Sequence, residues 1–586
     1  MRRRISRFWE WIDGAWGLCA LVAMGLGAYL RAVHYLDSRS LWLDEAMLGL
    51  NIASRSAREL FEPLDYHQVV PPLFLLIERF AVVIGGVSEL VMRAFPMLCG
   101  MGVLALAWPL ARRLLGSPEA LLATVWMAFS PLLIRYGNEL KPYGSDALAT
   151  CVLLLSALAV IRTPSSGCWL ALGACGVASL LLSLPAVFVC AAIVVALAVR
   201  SETWRGRAWW LVAIAGVWGL TLGLLYLGFY RLGATNPYLH QGYEGAFLVP
   251  GPELTARLGW ALQGTLLSPF PVIEGGWGSP MWLVSAILAA GLFGIWSRNG
   301  GSVASLLWLP MVVAALASSL WRYPFGVPRM MVFAGPLVLL AAAGSLTAIG
   351  RGLQRWRRVQ PVVLAVLIGA AAIPAARAAW ASARDPLRIQ DTAALVEDFR
   401  KRPRTDEPVY VGARGIPAWL FYTTDWERPD RERLRFYARE ATWGRCFENA
   451  PSRGRRVVNE GSGLVYQRRQ RKEILGLASG RQWRYPTWVT AIPDEGWAEN
   501  EAARIAHLAN PCAWLFFSQL SDMTHKRVMW HLRDDYGARR RYERYERGSV
   551  LWRFCLPKYG PQATPVGPRP AGRLPPPGSR EGADEP

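Results

Sequence analysis

Over the first 380 residues, apolar runs of about twenty residues alternate with short polar loops. A run of that length lets an α-helix cross ~30 Å of hydrocarbon. The runs lie near 16–34, 90–111, 117–136, 145–162, 168–183, 184–200, 209–230, 280–297, 302–320, 327–349 and 361–380, and they predict about eleven transmembrane helices. The two that share 168–200 are short and divide at Ser183-Leu184-Pro185, where proline ends a helix. A further apolar stretch, Pro71 to Gly86, carries Glu78 and Arg79 and is too short to span, so it predicts a helix lying on the outer surface. Beyond Arg384 the pattern changes. Strand-like runs at 408–412 and 513–518 alternate with helix-like runs at 392–400 and 501–509, which predicts a small α/β domain. From about residue 557 the chain is rich in proline and glycine, with too little apolar surface to fold, and is expected to be a disordered tail.

The expected architecture is therefore a polytopic α-helical membrane protein with a C-terminal extracytoplasmic α/β domain. Residues 1–380 form the transmembrane domain, 381–556 the exported domain and 557–586 the tail. Composition supports this division. Charged residues make up 18% of the chain and hydrophobic ones 53%, whereas an ordinary soluble domain is about 25% charged. The net charge of +21 would suggest nucleic acid in a soluble protein. Here the basic residues of the first 380 positions gather between apolar blocks, at Arg2 to Arg7, Arg112 and Arg113, Arg200 to Arg207, and Arg351 to Arg358. These are positive-inside loops. They lack the interleaved aromatics of a nucleic-acid stacking platform, so no nucleic-acid partner is expected. With the N-terminus in the cytoplasm, every run falls inside and an odd helix count puts residue 381 onward outside. No small-residue cleavage site follows the first apolar block, so that helix is expected to remain in the mature chain.

Six of the nine cysteines lie in or beside the apolar blocks, where they act as small apolar residues. Cys446, Cys512 and Cys555 fall in the exported region and allow one disulfide with one thiol left over, the pairing being open.

Ionisable groups at the outer membrane surface are costly and mark candidate chemistry. The first outer loop carries Asp44 and Glu45 at the start of an apolar helical segment. Either they cap that helix and favour its dipole, or one is a general base or metal ligand. Asp65, His67 and Gln68 follow before the surface helix. The loop after the third apolar block packs Glu139, Lys141, Tyr143 and Asp146 into eight positions, and Lys141 is the only lysine in the first 380 residues. A compact ammonium flanked by acids suits a phosphate, the alternative being a snorkelling lysine paired with Glu139. Arg322 and Arg329 stand at the outer mouth of the tenth helix, and Arg329 needs an anionic partner there. Two loops bearing carboxylates and two bearing cations are what is needed to hold an anionic lipid headgroup and deprotonate an acceptor.

These residues resemble the GT-C superfamily of polyprenyl-phosphate-sugar-dependent glycosyltransferases, in particular bacterial family 39, protein-mannosyltransferase-like and aminoarabinose-transferase-like members. The resemblance covers about residues 10–380 and rests on Ser40-Leu-Trp-Leu-Asp-Glu-Ala46, Pro71-Pro-Leu-Phe74, Arg93-Ala-Phe-Pro96, the Tyr136 to Asp146 loop and the Arg329 helix. It implies an essential acid in the first outer loop at Asp44, with Glu45 beside it, and a second acidic site at Glu139 or Asp146. Many relatives carry a histidine, or an acid and a lysine, immediately before the Pro-Pro pair. Val69 and Val70 stand there in this chain, with His67 and Gln68 upstream. Lys141, Arg329 and Tyr143 therefore take the donor-phosphate role, with His67, Gln68, Asp65 and Arg93 as secondary candidates and room left for a divalent metal ion.

The resemblance further implies a bacterial inner-membrane enzyme. It would pass a sugar from a polyprenyl phosphate, with inversion, to a hydroxyl of a glycan, lipid or protein acceptor on the extracytoplasmic side. The alternatives are a polyprenyl-lipid or polysaccharide transporter, which an internal repeat would favour, and a membrane sensor, which would leave the loop acids unexplained.

Overall fold

Each of the eleven apolar blocks is helical in the computed structural model. It describes residues 2–200, 207–234, 240, 243–270, 281–356, 359–386, 388–402, 407, 409–411, 415–431, 434, 487–489, 502, 505–506, 512–518 and 524–557. The first half runs α1 (Arg2–Leu36), α2 (Leu43–Ser54), α3 (Pro72–Gly85), α4 (Glu89–Leu114), α5 (Ser117–Phe129), α6 (Pro131–Tyr136), α7 (Tyr143–Arg162), α8 (Ser166–Leu182) and α9 (Ala186–Ala198). It continues with α10 (Ala208–Leu225), α11 (Leu254–Leu266), α12 (Met281–Asn299), α13 (Gly301–Ser319), α14 (Gly335–Ala343), α15 (Ser345–Gly352) and α16 (Gln360–Arg384). Among the described residues, eight helical stretches are long and apolar enough to cross a membrane: Gly14–Leu36, α4, α7, Ala208–Tyr230, α12, α13, Val332–Gly352 and α16. The other three blocks are shorter. The α8–α9 break falls at Ser183–Pro185 as expected, and the 117–136 block divides at Ser130-Pro131.

The second break has a visible cause. Pro131 cannot donate to the preceding turn, and the Ser130 hydroxyl turns away to the carbonyl of Pro269, 2.7 Å distant. The carbonyls freed at the end of α5 are met by Arg31, buried in α1, whose guanidinium donates to Ala128 O at 2.8 Å and Met127 O at 2.9 Å. An arginine inside an apolar helix is thus satisfied by backbone that a broken helix leaves unpaired. Small residues set the closest crossing. A Cβ at Gly291 of α12 would collide with the carbonyl of Ala341 in α14, so glycine is what lets the two backbones touch.

Beyond α16 the chain adds α17 (Thr392–Arg400), β1 (Val409–Val411), α18 (Ile416–Thr423), β2 (Thr487–Val489), β3 (Cys512–Ser518), α19 (Thr524–Asp534), β4 (Arg539–Glu546) and β5 (Ser549–Cys555). The sheet order is β2-β1-β3-β5-β4, with β1 parallel to both β2 and β3, and the remaining pairs antiparallel. The α/β expectation is met by β1, β3 and α17, while most of the 501–509 helix and the tail from 558 lie outside the described residues. Strand β3 is buried on both faces. Ala513, Leu515 and Phe517 meet Val528 and Leu532 of α19, while Trp514 and Phe516 face α17 and α18. A near-continuous apolar run is the expected sequence of such a strand. Cys512 and Cys555, opposite one another on β3 and β5, form a disulfide, and Cys446 lies outside the described residues.

The sheet domain is not an appendage. Its α17–α18 face shares one apolar core with α2 and α3, in which Leu41, Met47, Leu50 and Phe74 pack with Leu395, Trp419, Phe421 and Trp514.

Candidate functional site

The first outer loop turns into α2 at Trp42. The Glu45 carboxylate returns to the Trp42 backbone N–H at 3.3 Å, closing the first turn. Asp44 and Glu45, neighbours in sequence, then point to different places. Glu45 is fully buried and its carboxylate is taken up on every side. Arg93 of α4 donates through Nε at 2.8 Å and Nη2 at 2.6 Å, and the Leu140 N–H donates at 2.8 Å. Burial alone would raise its pKa, but the charge and hydrogen bonds of Arg93 prevail and hold it below the usual glutamate value. Arg93 also donates to the carbonyls of Arg39 and Ser40, and Arg39 reaches Asn138 O at 2.9 Å. Glu45 and Arg93 are the buried tie between the first outer loop, α4 and the 137–142 loop.

Asp44 faces the open side, about a quarter exposed. Arg329 donates to its Oδ2 at 2.7 Å and, through its other nitrogen, to the Tyr243 hydroxyl at 2.6 Å. The guanidinium lies against the rings of Trp42 and Tyr243, with centroids at 5.8 and 5.5 Å, which holds it in one orientation. Among the described residues, no hydrogen bond reaches Asp44 Oδ1. Lys141 stands close enough to sense both Asp44 and Arg329 electrostatically. Burial lowers its pKa, and Asp44 opposes that shift. Its ammonium donates to Gln68 Oε1 at 2.6 Å. Tyr143 is buried in the same wall, edge-on to Tyr136 at 5.3 Å. Asp44, Lys141, Arg329, Tyr143 and Gln68, scattered over nearly 300 positions, therefore converge.

The other candidates do not. Asp65 pairs with buried Arg55 at 2.9 Å and exchanges backbone hydrogen bonds with the Asn51 side chain, so it braces its own loop. Tyr66 and His67 hold φ of 61° and 54°, a left-handed pair that non-glycine residues adopt at a cost. His67 and Gln68 line a cleft of about 160 Å³ together with Leu60, Phe61, Leu64 and Phe229. Glu139 is buried beside Arg135 at 3.3 Å; burial, aided by the charge of Glu45, raises its pKa. Asp146 sits inside α7, buried, with Ser183 as its hydrogen-bond partner. Among the described residues no hydrogen bond joins Glu139 or Asp146 to Asp44, while Glu139 and Asp44 both act electrostatically on Lys141. Sequence reasoning missed Tyr243, an uncharged residue in a long loop with no charge pattern to mark it. It also missed Trp42, whose place two residues before Asp44 was the available signal.

The donor set is a poor one for a divalent metal ion. Its one open carboxylate oxygen belongs to Asp44, and two cations adjoin it, whereas hard divalent ions take six or more oxygens. Among the described residues no three His, Cys, Asp or Glu side chains gather in a metal-holding group.

Residues 69–225 match the family described as dolichyl-phosphate-mannose-protein mannosyltransferase. This segment contains the Pro-Pro motif, Arg93 and the 136–146 loop from which the resemblance was read. No curated protein matches the chain. Solved structures similar to it include ArnT from Cupriavidus metallidurans bound to undecaprenyl phosphate, 12% identical over 92% of this chain and 98% of that one, with a TM-score of 0.49. Another is the oligosaccharyltransferase AglB from Archaeoglobus fulgidus with an inhibitory peptide and a dolichol-phosphate, 12% identical over 92% and 74%, with a TM-score of 0.44.

Proposed function

We propose, from the mannosyltransferase-family match over residues 69–225 and the site built around Asp44, that this chain is a membrane glycosyltransferase using a polyprenyl-phosphate-linked sugar. The observation that carries the reading is the Asp44–Arg329–Tyr243 array with Lys141 beside it: a carboxylate with one oxygen that no hydrogen bond reaches among the described residues, held among cations at the end of a bundle of apolar helices. The acceptor oxygen attacks the anomeric carbon as its proton passes to Asp44 Oδ1. The bond from that carbon to the phosphate oxygen breaks with inversion, and the electron pair leaves on the polyprenyl phosphate. Arg329 and Lys141 meet the negative charge that grows on the phosphate. Tyr143 and Gln68 shape the same pocket. Because the two cations supply what a metal would, a chelator such as EDTA is expected to leave turnover unchanged. A loss restored by magnesium or manganese would overturn that assignment.

We place the enzyme in a bacterial inner membrane, N-terminus in the cytoplasm and residues 381–556 outside. The arginine runs support this orientation, as does the Cys512–Cys555 disulfide, a bond that persists in oxidising compartments. The test is to incubate purified protein with radiolabelled polyprenyl-phosphate sugars and membrane extract. Label should leave the lipid only when Asp44 is present, and label that stays on the lipid with every donor and acceptor tried rejects the reading. Lys141→Ala is expected to raise the KM for the donor about tenfold or more, as the loss of one charge-assisted phosphate contact does. An unchanged donor KM removes Lys141 from that role.

A further inference from the structure

The six residues from Asp37 to Trp42 connect α1 to the helix that carries Asp44, and the C-terminal domain grips them at three points. Arg388 spans Asp37 at 2.7 Å and Asp391 at 3.1 Å. The Ser40 hydroxyl donates to Asp391 Oδ1 at 2.8 Å and accepts the Ala393 N–H at 3.0 Å. The Leu41 N–H donates to the Tyr422 hydroxyl at 2.7 Å. Tyr422 itself closes α18, and its hydroxyl has a second hydrogen-bond partner in Glu89, in the first turn of α4. From the membrane side, Arg93 holds the carbonyls of Arg39 and Ser40. Residues 39–41 are thus clamped between a membrane helix and the C-terminal domain, three residues before Asp44.

At the turn itself, Glu45 holds the Trp42 N–H from within α2. The N-cap of α2 is Trp42, whose side chain offers no oxygen. The underside of α2 rests on α18, where Phe421 lies so close to Gly49 that an added Cβ would be 3.3 Å from its ring. We propose that the C-terminal domain positions Asp44, with Tyr422 as the chief positioning residue acting through the Leu41 N–H. This rests on the transferase reading above for its effect on turnover, although not for the clamp itself. A backbone N–H held at 2.7 Å sets the pitch at which α2 starts, and a small misplacement of a general base costs rate rather than donor affinity.

Tyr422→Phe keeps the ring and removes the oxygen. In the purified full-length protein it is expected to lower kcat about tenfold with the donor KM unchanged, and to speed amide hydrogen exchange across residues 37–50. The same substitution in an Asp44→Asn background should change residual turnover by less than twofold, since Tyr422 acts through Asp44. Three results overturn the proposal: unaltered exchange over 37–50, a kcat equal to wild type, or a full tenfold loss in the Asp44→Asn background, which would mark a general structural role. Should the wild type transfer no sugar from any donor, the transferase reading fails while the exchange experiment still decides the clamp. If Tyr422→Phe does not fold, Ser40→Ala breaks a second point of the same grip and is read by the same exchange window.

Discussion

Asp44→Asn should lower sugar transfer by about two to four orders of magnitude, the range a positioned general base contributes. The amide keeps the size of the side chain and can still accept from Arg329, so the array around Oδ2 survives at 2.7 Å while the acceptor proton loses its destination. Asp44 is a quarter exposed and shares none of the buried ties of Glu45, so the variant should fold, with only a modest drop in Tm as its ion pair to Arg329 becomes a neutral hydrogen bond. The decisive comparison is turnover at saturating donor against donor affinity. The rate should fall and the affinity hold. An Asp44→Asn variant that turns over within a few-fold of wild type would remove Asp44 as the base.

The second large effect concerns folding. Arg93→Ala leaves Glu45 charged, unpaired and without solvent contact, and it strands the carbonyls of Arg39 and Ser40. Breaking one partner of a buried pair costs about 3–5 kcal/mol, a large part of the stability of an ordinary domain. Thermal unfolding of the solubilised protein should show a marked drop in Tm and a loss of folded yield. Removing both charges in Arg93→Met with Glu45→Leu should recover much of that loss, because no orphaned charge remains. A single variant as stable as wild type would show that the pair ties nothing together.

The helices were legible because crossing ~30 Å of hydrocarbon leaves a mark on composition that nothing else in the chain imitates. Even the break at Ser183–Pro185 could be read. The break at Ser130-Pro131 was not read, although proline leaves the same mark there. The carbonyls it frees are met by Arg31, roughly a hundred positions away. Asp44, Lys141 and Arg329 could be named because each is a charge out of place in an apolar region. Their assembly into one array was legible only as a consequence of topology. The different surroundings of Asp44 and Glu45 could not be read from their adjacency, since successive helix positions face about 100° apart and meet different neighbours. Tyr243 and Tyr422 left no trace, since a tyrosine hydroxyl carries no charge and no period.

The shared core of α2 and α18 also dictates an order of events. The partner of the Leu41 N–H lies 381 positions downstream. A ribosome making this chain delivers the helix that bears Asp44 early and the residues that seat it late, after every apolar helix has been threaded into the bilayer. Until Tyr422 and β3 are made and pack, the underside of α2 lacks the cover that α18 and β3 provide, and rests on α3 and α4 alone. A half-made chain would therefore carry Asp44 without the contacts that seat the turn before it, and the array around that acid would be complete only once synthesis and assembly were finished.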